Sequence, residues 1–294
     1  MGEQNIGEAL RRASLFLSQK GLSQPRRDAE QILTVLLDRP LTFLVSHPET
    51  PLTDQQLHAF DELVRRRGEH YPLQYLRGYQ EFYGRDFRVT PSVLIPRPET
   101  EILIETALRL LESRRQPRVL DIGTGSGCIA VTLACERPDL ELVATDISSG
   151  ALELARENAR RLGPARQISF KLGALFEPVA GESFDLVISN PPYVADNDSQ
   201  VEQQVSRWEP AEAVFAGPTG LEVITALLHE IPDYLVSDGR LIIEIGHGQA
   251  DKLSRLGEVS GMLCCETVSD LAGVTRVAVF RRNGNGGHSK HSFN

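Results

Sequence analysis

Five consecutive residues, Ser189-Asn190-Pro191-Pro192-Tyr193, have the types and spacing to grip a planar NH2 group. The Asn190 side-chain oxygen can accept one hydrogen bond from such a group. A main-chain carbonyl in the Pro191-Pro192 segment, held because proline fixes φ, can accept another. Tyr193 can lie on the flat face. Two acceptors and a stacking wall leave the nitrogen lone pair free to attack an electrophile. Taken alone, the same residues also read as a strand ended by a proline-rich turn, since Asn-Pro pairs start turns. Phe184-Asp185-Leu186-Val187-Ile188, just before them, is short, β-branched and opened by Gly181 and Ser183, as a buried parallel strand should be. The pentapeptide then sits at a strand's carboxyl end, where open α/β sheets bind ligands.

A second constellation lies upstream. Val119-Leu120-Asp121-Ile122-Gly123-Thr124-Gly125-Ser126-Gly127 reads as strand, glycine-rich turn and helix start. Glycines at 123, 125 and 127, with Thr124 and Ser126 between them, let the backbone approach a ligand closely. A dinucleotide fingerprint would need a glycine at 128, which is Cys128. The Gly-x-Gly-x-Gly spacing after an acidic residue is instead the form seen in S-adenosylmethionine sites. Asp146 ends the next strand, where a carboxylate can accept both ribose hydroxyls. Together the two constellations indicate a methyltransferase that modifies an amide or exocyclic nitrogen.

The elements that must position these residues follow from periodicity. From Arg118 the chain alternates strand and helix, the pattern of a doubly wound sheet. Strands are predicted near 118–121, 141–146, 168–171, 184–189, 239–245, 264–268 and 275–281. Helices are predicted near 127–137, 149–162, 220–236 and 249–257. Only a short turn at Ala272-Gly273 separates the last two strands, so they should be antiparallel. Residues 1–78 read as four or five short helices. Ala29, Ile32, Leu33, Leu36 and Leu37 mark one buried face, and Leu57, Phe60 and Val64 another, with a capping box from Thr53 to Gln56. This domain carries no catalytic-looking cluster and reads as binding and positioning, or as structural support. Residues 79–99 combine an aromatic β-hairpin around Gly84 with the stiff segment Leu94-Ile95-Pro96-Arg97-Pro98-Glu99, both expected to border the active site. A helix should follow from about 100 to 113. The catalytic domain is assigned to 100–282, and the polar residues 283–294 to a disordered tail.

Composition narrows the class. The chain has 294 residues, enough for about two domains. A net charge of −9 argues against nonspecific binding to nucleic acid or an anionic membrane. Arg65-Arg66-Arg67, the one run of three basic residues, reads as the solvated end of a helix. No apolar stretch approaches membrane-span length, no signal-peptide h-region is visible, and Ile6 occupies the position a myristoylation signal gives to Ser or Thr. Cys128, Cys135, Cys264 and Cys265 lack CxxC spacing and read as reduced core residues of a cytoplasmic protein. The scattered histidines suggest no metal site.

With these motifs in view, the chain resembles the peptide-chain release factor glutamine N5-methyltransferases, the PrmC or HemK family. The resemblance spans nearly the whole chain. It includes the helical N-terminal domain, Gln80-Glu81-Phe82-Tyr83-Gly84, Ile95-Pro96-Arg97-Pro98-Glu99-Thr100-Glu101, the glycine turn from Asp121 to Gly127, Asn190-Pro191-Pro192-Tyr193, Arg207-Trp208-Glu209-Pro210 and Glu244-Ile245-Gly246. Arg97 to Glu101 discriminates best, because the Asn-Pro-Pro-Tyr motif is shared with DNA adenine and ribosomal RNA methyltransferases. The resemblance implies a class I S-adenosylmethionine-dependent methyltransferase fold, α/β with a Rossmann-like seven-stranded sheet, behind a small helical-bundle domain. It implies cofactor contacts at Gly123 to Gly127, Asp146, Leu175 and Asn190, and glutamine contacts at Asn190, Pro191, Pro192 and Tyr193. The implied substrate is the Gly-Gly-Gln glutamine of class-1 release factors, and the implied product is S-adenosylhomocysteine. Members often carry Asp or Trp where Ala174 and Leu175 stand, so a contact to adenine should be missing here and cofactor affinity looser.

An amide nitrogen is a poor nucleophile because its lone pair is delocalised. Accepting hydrogen bonds from both N–H bonds returns density to it, and placing it near the methyl in a dry pocket supplies much of the rest, up to roughly 7–11 kcal/mol. Asn190 is therefore the expected catalytic residue, with Pro191 and Tyr193, and no histidine is required. Glu244 should either line the pocket or hold neighbouring loop amides. Arg207 to Pro210 should form a loop that closes over the substrate or simply packs well. Three other readings stand beside this one. A nucleic-acid N-methyltransferase would need a basic surface, a ribosomal-protein glutamine methyltransferase shares the same core, and a non-catalytic protein could retain the cofactor pocket.

Overall fold

The computed structural model describes residues 4–198 and 203–283, so the tail assigned to 283–294 lies, but for Asn283, outside the described residues. The chain divides into two compact units, Met1–Tyr79 and Gln80–Asn294.

The first unit is helical: α1 (Ile6–Gln19), α2 (Pro25–Leu37), α3 (Leu41–Ser46), α4 (Asp54–Gly68) and α5 (Leu73–Arg77). Its core gathers Ile6, Leu10 and Leu17 of α1, Ala29, Ile32 and Leu33 of α2, and Phe60 and Val64 of α4. Leu36, Leu37 and Leu57 pack partly buried at its edge. The capping box is formed in both directions. Gln56 N–H donates to Thr53 Oγ1 at 3.2 Å, and Thr53 N–H to Gln56 Oε1 at 2.9 Å. The basic run is less solvated than its composition implied. Arg65 pairs with Glu62 and Glu69 on the surface, but Arg67 turns inward to an ion pair with Asp28 at 2.8 Å that is almost lost from solvent. A helix face puts successive residues about 100° apart, so a run of three cannot share one environment.

From the unit boundary at Tyr79 onward, β1 (Tyr79–Phe82) and β2 (Arg85–Arg88) pair across a two-residue turn. Tyr83 and Gly84 both have positive φ, 51° and 69°, the requirement of a type I′ hairpin. Glu101 of the Arg97–Glu101 motif accepts the Tyr83 N–H at 2.9 Å, so two sequence motifs meet at this turn. A 3-10 turn (Pro98–Thr100) leads into α6 (Glu101–Leu111). The doubly wound region follows as β3 (Arg118–Ile122), α7 (Cys128–Glu136), β4 (Glu141–Asp146), α8 (Ser149–Leu162), β5 (Ile168–Leu172) and β6 (Phe184–Ser189). Next come β7 (Val194–Ala195), α9 (Gln203–Trp208), α10 (Ala211–Val214), β8 (Phe215–Gly217) and α11 (Glu222–Glu230). The chain closes with β9 (Leu235–Glu244), α12 (Ala250–Val259), β10 (Met262–Ser269) and β11 (Thr275–Arg282).

Seven strands form one sheet in the order β10-β11-β9-β6-β3-β4-β5, with β11 antiparallel to both its neighbours. Alternation along each strand divides the core. Val119, Leu186, Ile188, Ile242, Val277 and Val279 face a layer built from α6, α7 and α8. Leu120, Val187, Leu241, Ile243, Ala278 and Phe280 face α11 and α12. Strand order reverses between β3 and β6, and ligands of such sheets bind at the carboxyl ends there.

Four local expectations are corrected. The helix expected at 220–236 ends at Glu230, because Pro232 has no N–H to donate to the preceding turn; a 3-10 turn (Ile231–Asp233) takes its place. That shorter helix lets β9 begin at Leu235 instead of 239. Arg207 and Trp208 end a helix and are not in a loop. Cys265 is exposed rather than in the core, since β10 is an edge strand and its alternate positions face solvent.

Candidate active site

The glycine turn after β3 exists because three residues must adopt left-handed backbone: Gly123, Gly125 and Gly127 have φ of 73°, 55° and 80°. Gly127 has a second constraint. A Cβ there would lie 3.1 Å from the Ala155 Cβ, so its absence allows α7 and α8 to close together. Thr145 carbonyl accepts the Gly123 and Thr124 N–H groups at 2.9 and 3.0 Å. Asp146 braces the turn from the end of β4, accepting Gly125 N–H on Oδ2 and Ser148 N–H on Oδ1, both at 2.9 Å. Each oxygen keeps acceptor capacity toward the cavity that Asp146 lines. Burial raises the Asp146 pKa, and the two amides counter it. Beneath the turn Asp121 is fully buried and accepts Thr124 Oγ1–H at 2.6 Å. Burial pushes its pKa up to about 7.

At the end of β6, Ser189 Oγ–H donates to the Ile122 carbonyl at 2.7 Å and ties the two strand ends together. Asn190 Nδ2–H donates to Thr100 Oγ1 at 3.1 Å. The Thr100 hydroxyl in turn donates to Glu244 Oε2 at 2.6 Å, and Tyr193 OH donates to Glu244 Oε1 at 3.1 Å. Thr100 and Glu244 are both buried. Burial raises the Glu244 carboxyl pKa, opposed by the two hydroxyls, and burial beside Glu244 raises the Tyr193 phenol. Gly246 completes the arrangement: a Cβ there would lie 3.2 Å from Tyr193 Cδ2. The Gln249 amide donates to the Tyr193 carbonyl at 3.0 Å.

A cavity of about 450 Å³ opens between these two strand ends. Gly123, Thr124, Gly125, Ser126, Asp146, Leu175, Asn190, Pro191 and Pro192 line it. Gly127 and Tyr193 are not among its lining residues; Gly127 serves helix packing, and Tyr193 turns its hydroxyl to Glu244. Glu244 follows neither of its expected roles, since it holds two hydroxyls where loop amides or the cavity were anticipated. The stiff segment does border the site through Leu94, Pro96 and Arg97, whereas the β1–β2 hairpin is absent from the lining. Phe82 and Phe87 on that hairpin are drawn into the core beside α6.

Other residues of the cavity wall carried no signal of their own, Leu175 being expected from the resemblance alone. Ile147 lines the cavity while 58% exposed, an apolar surface left uncovered at the end of β4. Leu175 also lines it, in a left-handed conformation at φ 45°, and a Cβ on Gly173 would lie 2.5 Å from Pro178 Cγ. Glu212 and Ala213 of α10 form part of the wall. A glycine turn, a carboxylate at the next strand end and apolar Ile147 and Leu175 fit a nucleoside-bearing cofactor. Asp146 suits ribose hydroxyls, and the two aliphatic side chains suit the faces of a base. Among the described residues no group of histidine, cysteine and carboxylates could hold a metal ion, and no helix is long and apolar enough to cross a membrane.

Known proteins resemble the chain at the level of family and of fold. Residues 8–78 match the family model of the PrmC N-terminal domain, and residues 99–208 that of the methyltransferase small domain. A release factor glutamine methyltransferase of Koribacter versatilis is 42% identical over 260 residues, 88% of this chain and 91% of that protein. Its counterpart in Geobacter sulfurreducens is 41% identical over 263 residues, 89% and 91% of the two chains. That of Escherichia coli is 38% identical over 258 residues, 87% and 92%. Among solved structures, the hMettl16 catalytic domain in complex with the MAT2A 3′UTR hairpin 6 superimposes with a TM-score of 0.54 at 15% identity. The match covers 78% of this chain and 82% of that one, a likeness of fold alone.

Proposed function

The chain belongs to the release factor glutamine methyltransferase family, and from that premise we propose that it methylates the side-chain amide nitrogen of the Gly-Gly-Gln glutamine in class-1 peptide chain release factors. S-Adenosylmethionine supplies the electrophilic methyl group when bound and leaves as S-adenosylhomocysteine. Gly123 to Ser126, Asp146 and Leu175 would hold it, and the Asp146 carboxylate suits its ribose hydroxyls. Asn190 presents Oδ1 to one amide N–H of the glutamine, and a carbonyl of the Pro191-Pro192 segment takes the other. Tyr193 backs this segment. The helical unit at 1–78 positions the release factor, and the setting is cytoplasmic, with no stable nucleic-acid partner and no membrane.

The observation that carries this reading is the commitment of Asn190. One N–H of its Nδ2 is bound to Thr100, which leaves Oδ1 to act as an acceptor at the wall of the cavity that Asn190 lines. An acceptor at the wall of a cofactor cavity suits an incoming N–H donor, and two acceptors on one NH2 hold it in plane. No general base is needed before transfer, because the methylated nitrogen becomes acidic and sheds a proton readily.

The deciding experiment incubates the chain with methyl-labelled S-adenosylmethionine and a purified class-1 release factor, either wild type or with its Gly-Gly-Gln glutamine replaced. Label on the wild type only, located to that glutamine by mass spectrometry, is the expected result. Label absent from both, with transfer to a ribosomal protein or RNA instead, would overturn the substrate while leaving the fold.

A further inference from the structure

We propose that Glu244, acting through Thr100, is a positioning residue that sets which edge of the Asn190 amide faces the substrate. The inference rests on the methyl-transfer reading above and extends it to Thr100, at the cavity wall, and to Glu244, which is not among the lining residues.

Hydrogen atoms decide the orientation. Glu244 is buried at the end of β9 and receives two hydroxyl donors, Thr100 on Oε2 at 2.6 Å and Tyr193 on Oε1 at 3.1 Å. Both hydroxyls donate, and the two Glu244 oxygens act as the acceptors. Thr100 has one hydroxyl proton, and Glu244 takes it. The Thr100 oxygen is then left with lone pairs toward Asn190, and it can meet only the NH2 edge of that amide. Turning the amide over would place Asn190 Oδ1 against Thr100 Oγ1. Thr100 would then either withdraw its proton from Glu244 or confront lone pair with lone pair. Either choice strands a buried polar group, which disfavours the flipped amide. The preferred orientation is therefore imposed on Asn190 by a carboxylate that Thr100 meets from 144 positions away in the chain.

The same carboxylate holds the other end of the motif. Tyr193 OH is fixed on Oε1, so Asn190 and Tyr193 are both referred to one buried anchor, with Pro191 and Pro192 rigid between them. Gly246, two residues beyond Glu244, leaves the room that the Tyr193 ring occupies. Thr100 and the Glu244-Ile245-Gly246 motif thus share a single task, which is to keep an acceptor aimed where the glutamine amide must lie.

The test compares Thr100→Val, which removes the hydroxyl at nearly constant shape, with Thr100→Ser, which restores it. For methyl transfer to the release factor, Thr100→Val should lower kcat about tenfold or more. S-Adenosylhomocysteine affinity and the KM for the release factor should stay near wild type, and Thr100→Ser should recover most of the rate. Unchanged kcat in Thr100→Val, or a parallel loss of cofactor affinity that serine does not rescue, would overturn the inference. A second readout needs no substrate: the side-chain NH2 resonances of Asn190, assigned by their disappearance in Asn190→Asp. One proton of the pair should exchange slowly in wild type and in Thr100→Ser and fast in Thr100→Val, while equal exchange in all three would overturn the assignment. A wild-type chain that transfers no methyl to the release factor would count against the substrate reading, and the exchange measurement would still decide this one.

Discussion

Arg97 and Glu209 lie 112 positions apart and form an ion pair in which the carboxylate is 3% exposed and the guanidinium 31%. Glu209 also accepts the Ile95 N–H at 3.0 Å, so one carboxylate fixes both the charge and the backbone of the stiff segment that walls the cavity. Glu209→Ala should leave a buried N–H and a partly buried cation without partners, a loss of about 3 kcal/mol in denaturant-measured stability. Glu209→Gln keeps an acceptor for Ile95 and should lose about half as much. Equal stability of the two variants would show that the backbone contact contributes nothing.

Gly127 carries two constraints at once, a φ of 80° and a Cβ position 3.1 Å from Ala155. Gly127→Ala should displace the start of α7 and weaken S-adenosylhomocysteine binding about tenfold or more, since the turn can no longer keep its shape. The strain of left-handed backbone at a non-glycine residue adds about 1 kcal/mol of destabilisation. Gly163 also has positive φ but meets no atom within 4 Å, so alanine there should cost stability without changing cofactor affinity. Isothermal titration of the two variants separates strain from collision.

What was legible in the sequence is what local chemistry dictates. Strand bounds at 141–146 and 184–189 and the helix at 149–162 agree with the structure residue for residue, because alternation, capping and glycine turns act over a few positions. The cavity wall at Gly123 to Ser126, Asp146 and Asn190 was equally readable, since each follows or closes a strand. Partners distant in the chain were not. Nothing near Thr100 indicates that its hydroxyl meets Asn190 and Glu244, and nothing near Asp28 indicates Arg67. Sheet order and helix packing create those contacts, and the hairpin's expected place beside the cavity fails for the same reason. Aromatic Phe82 and Phe87 could serve a site or a core, and only α6 decides that they serve a core.

Asn190→Ala removes the acceptor that should grip the glutamine amide. The rate of methyl transfer should fall about a hundredfold or more, as for loss of a group that orients the reacting atom. S-Adenosylmethionine affinity should change much less, because the glycine turn, Asp146, Ile147 and Leu175 line the cavity independently of Asn190. Single-turnover kinetics beside a binding titration makes the comparison, and equal losses in both would remove Asn190 from catalysis.

Asp121 makes the stability of the ligand-free chain depend on pH in a direction opposite to an ordinary salt-bridged carboxylate. Burial raises its folded pKa from an ordinary 3.8 to about 7, so between those values the folded chain binds a proton that the unfolded chain has released. Stability contributed by this group is complete below about pH 4, declines as pH rises, and is lost by about pH 7 to 8. At about 1.36 kcal/mol for each pH unit of that interval, the total is on the order of 4 kcal/mol. Asp121→Asn retains an acceptor for Thr124 Oγ1 and has no charge to bury, so its stability should not follow that decline. Denaturant titrations of both chains at about pH 5 and pH 8 measure the difference. The asparagine variant should gain on wild type by about 3 kcal/mol between the two conditions, whereas parallel behaviour would mean that Asp121 keeps the same charge in the folded and unfolded chain.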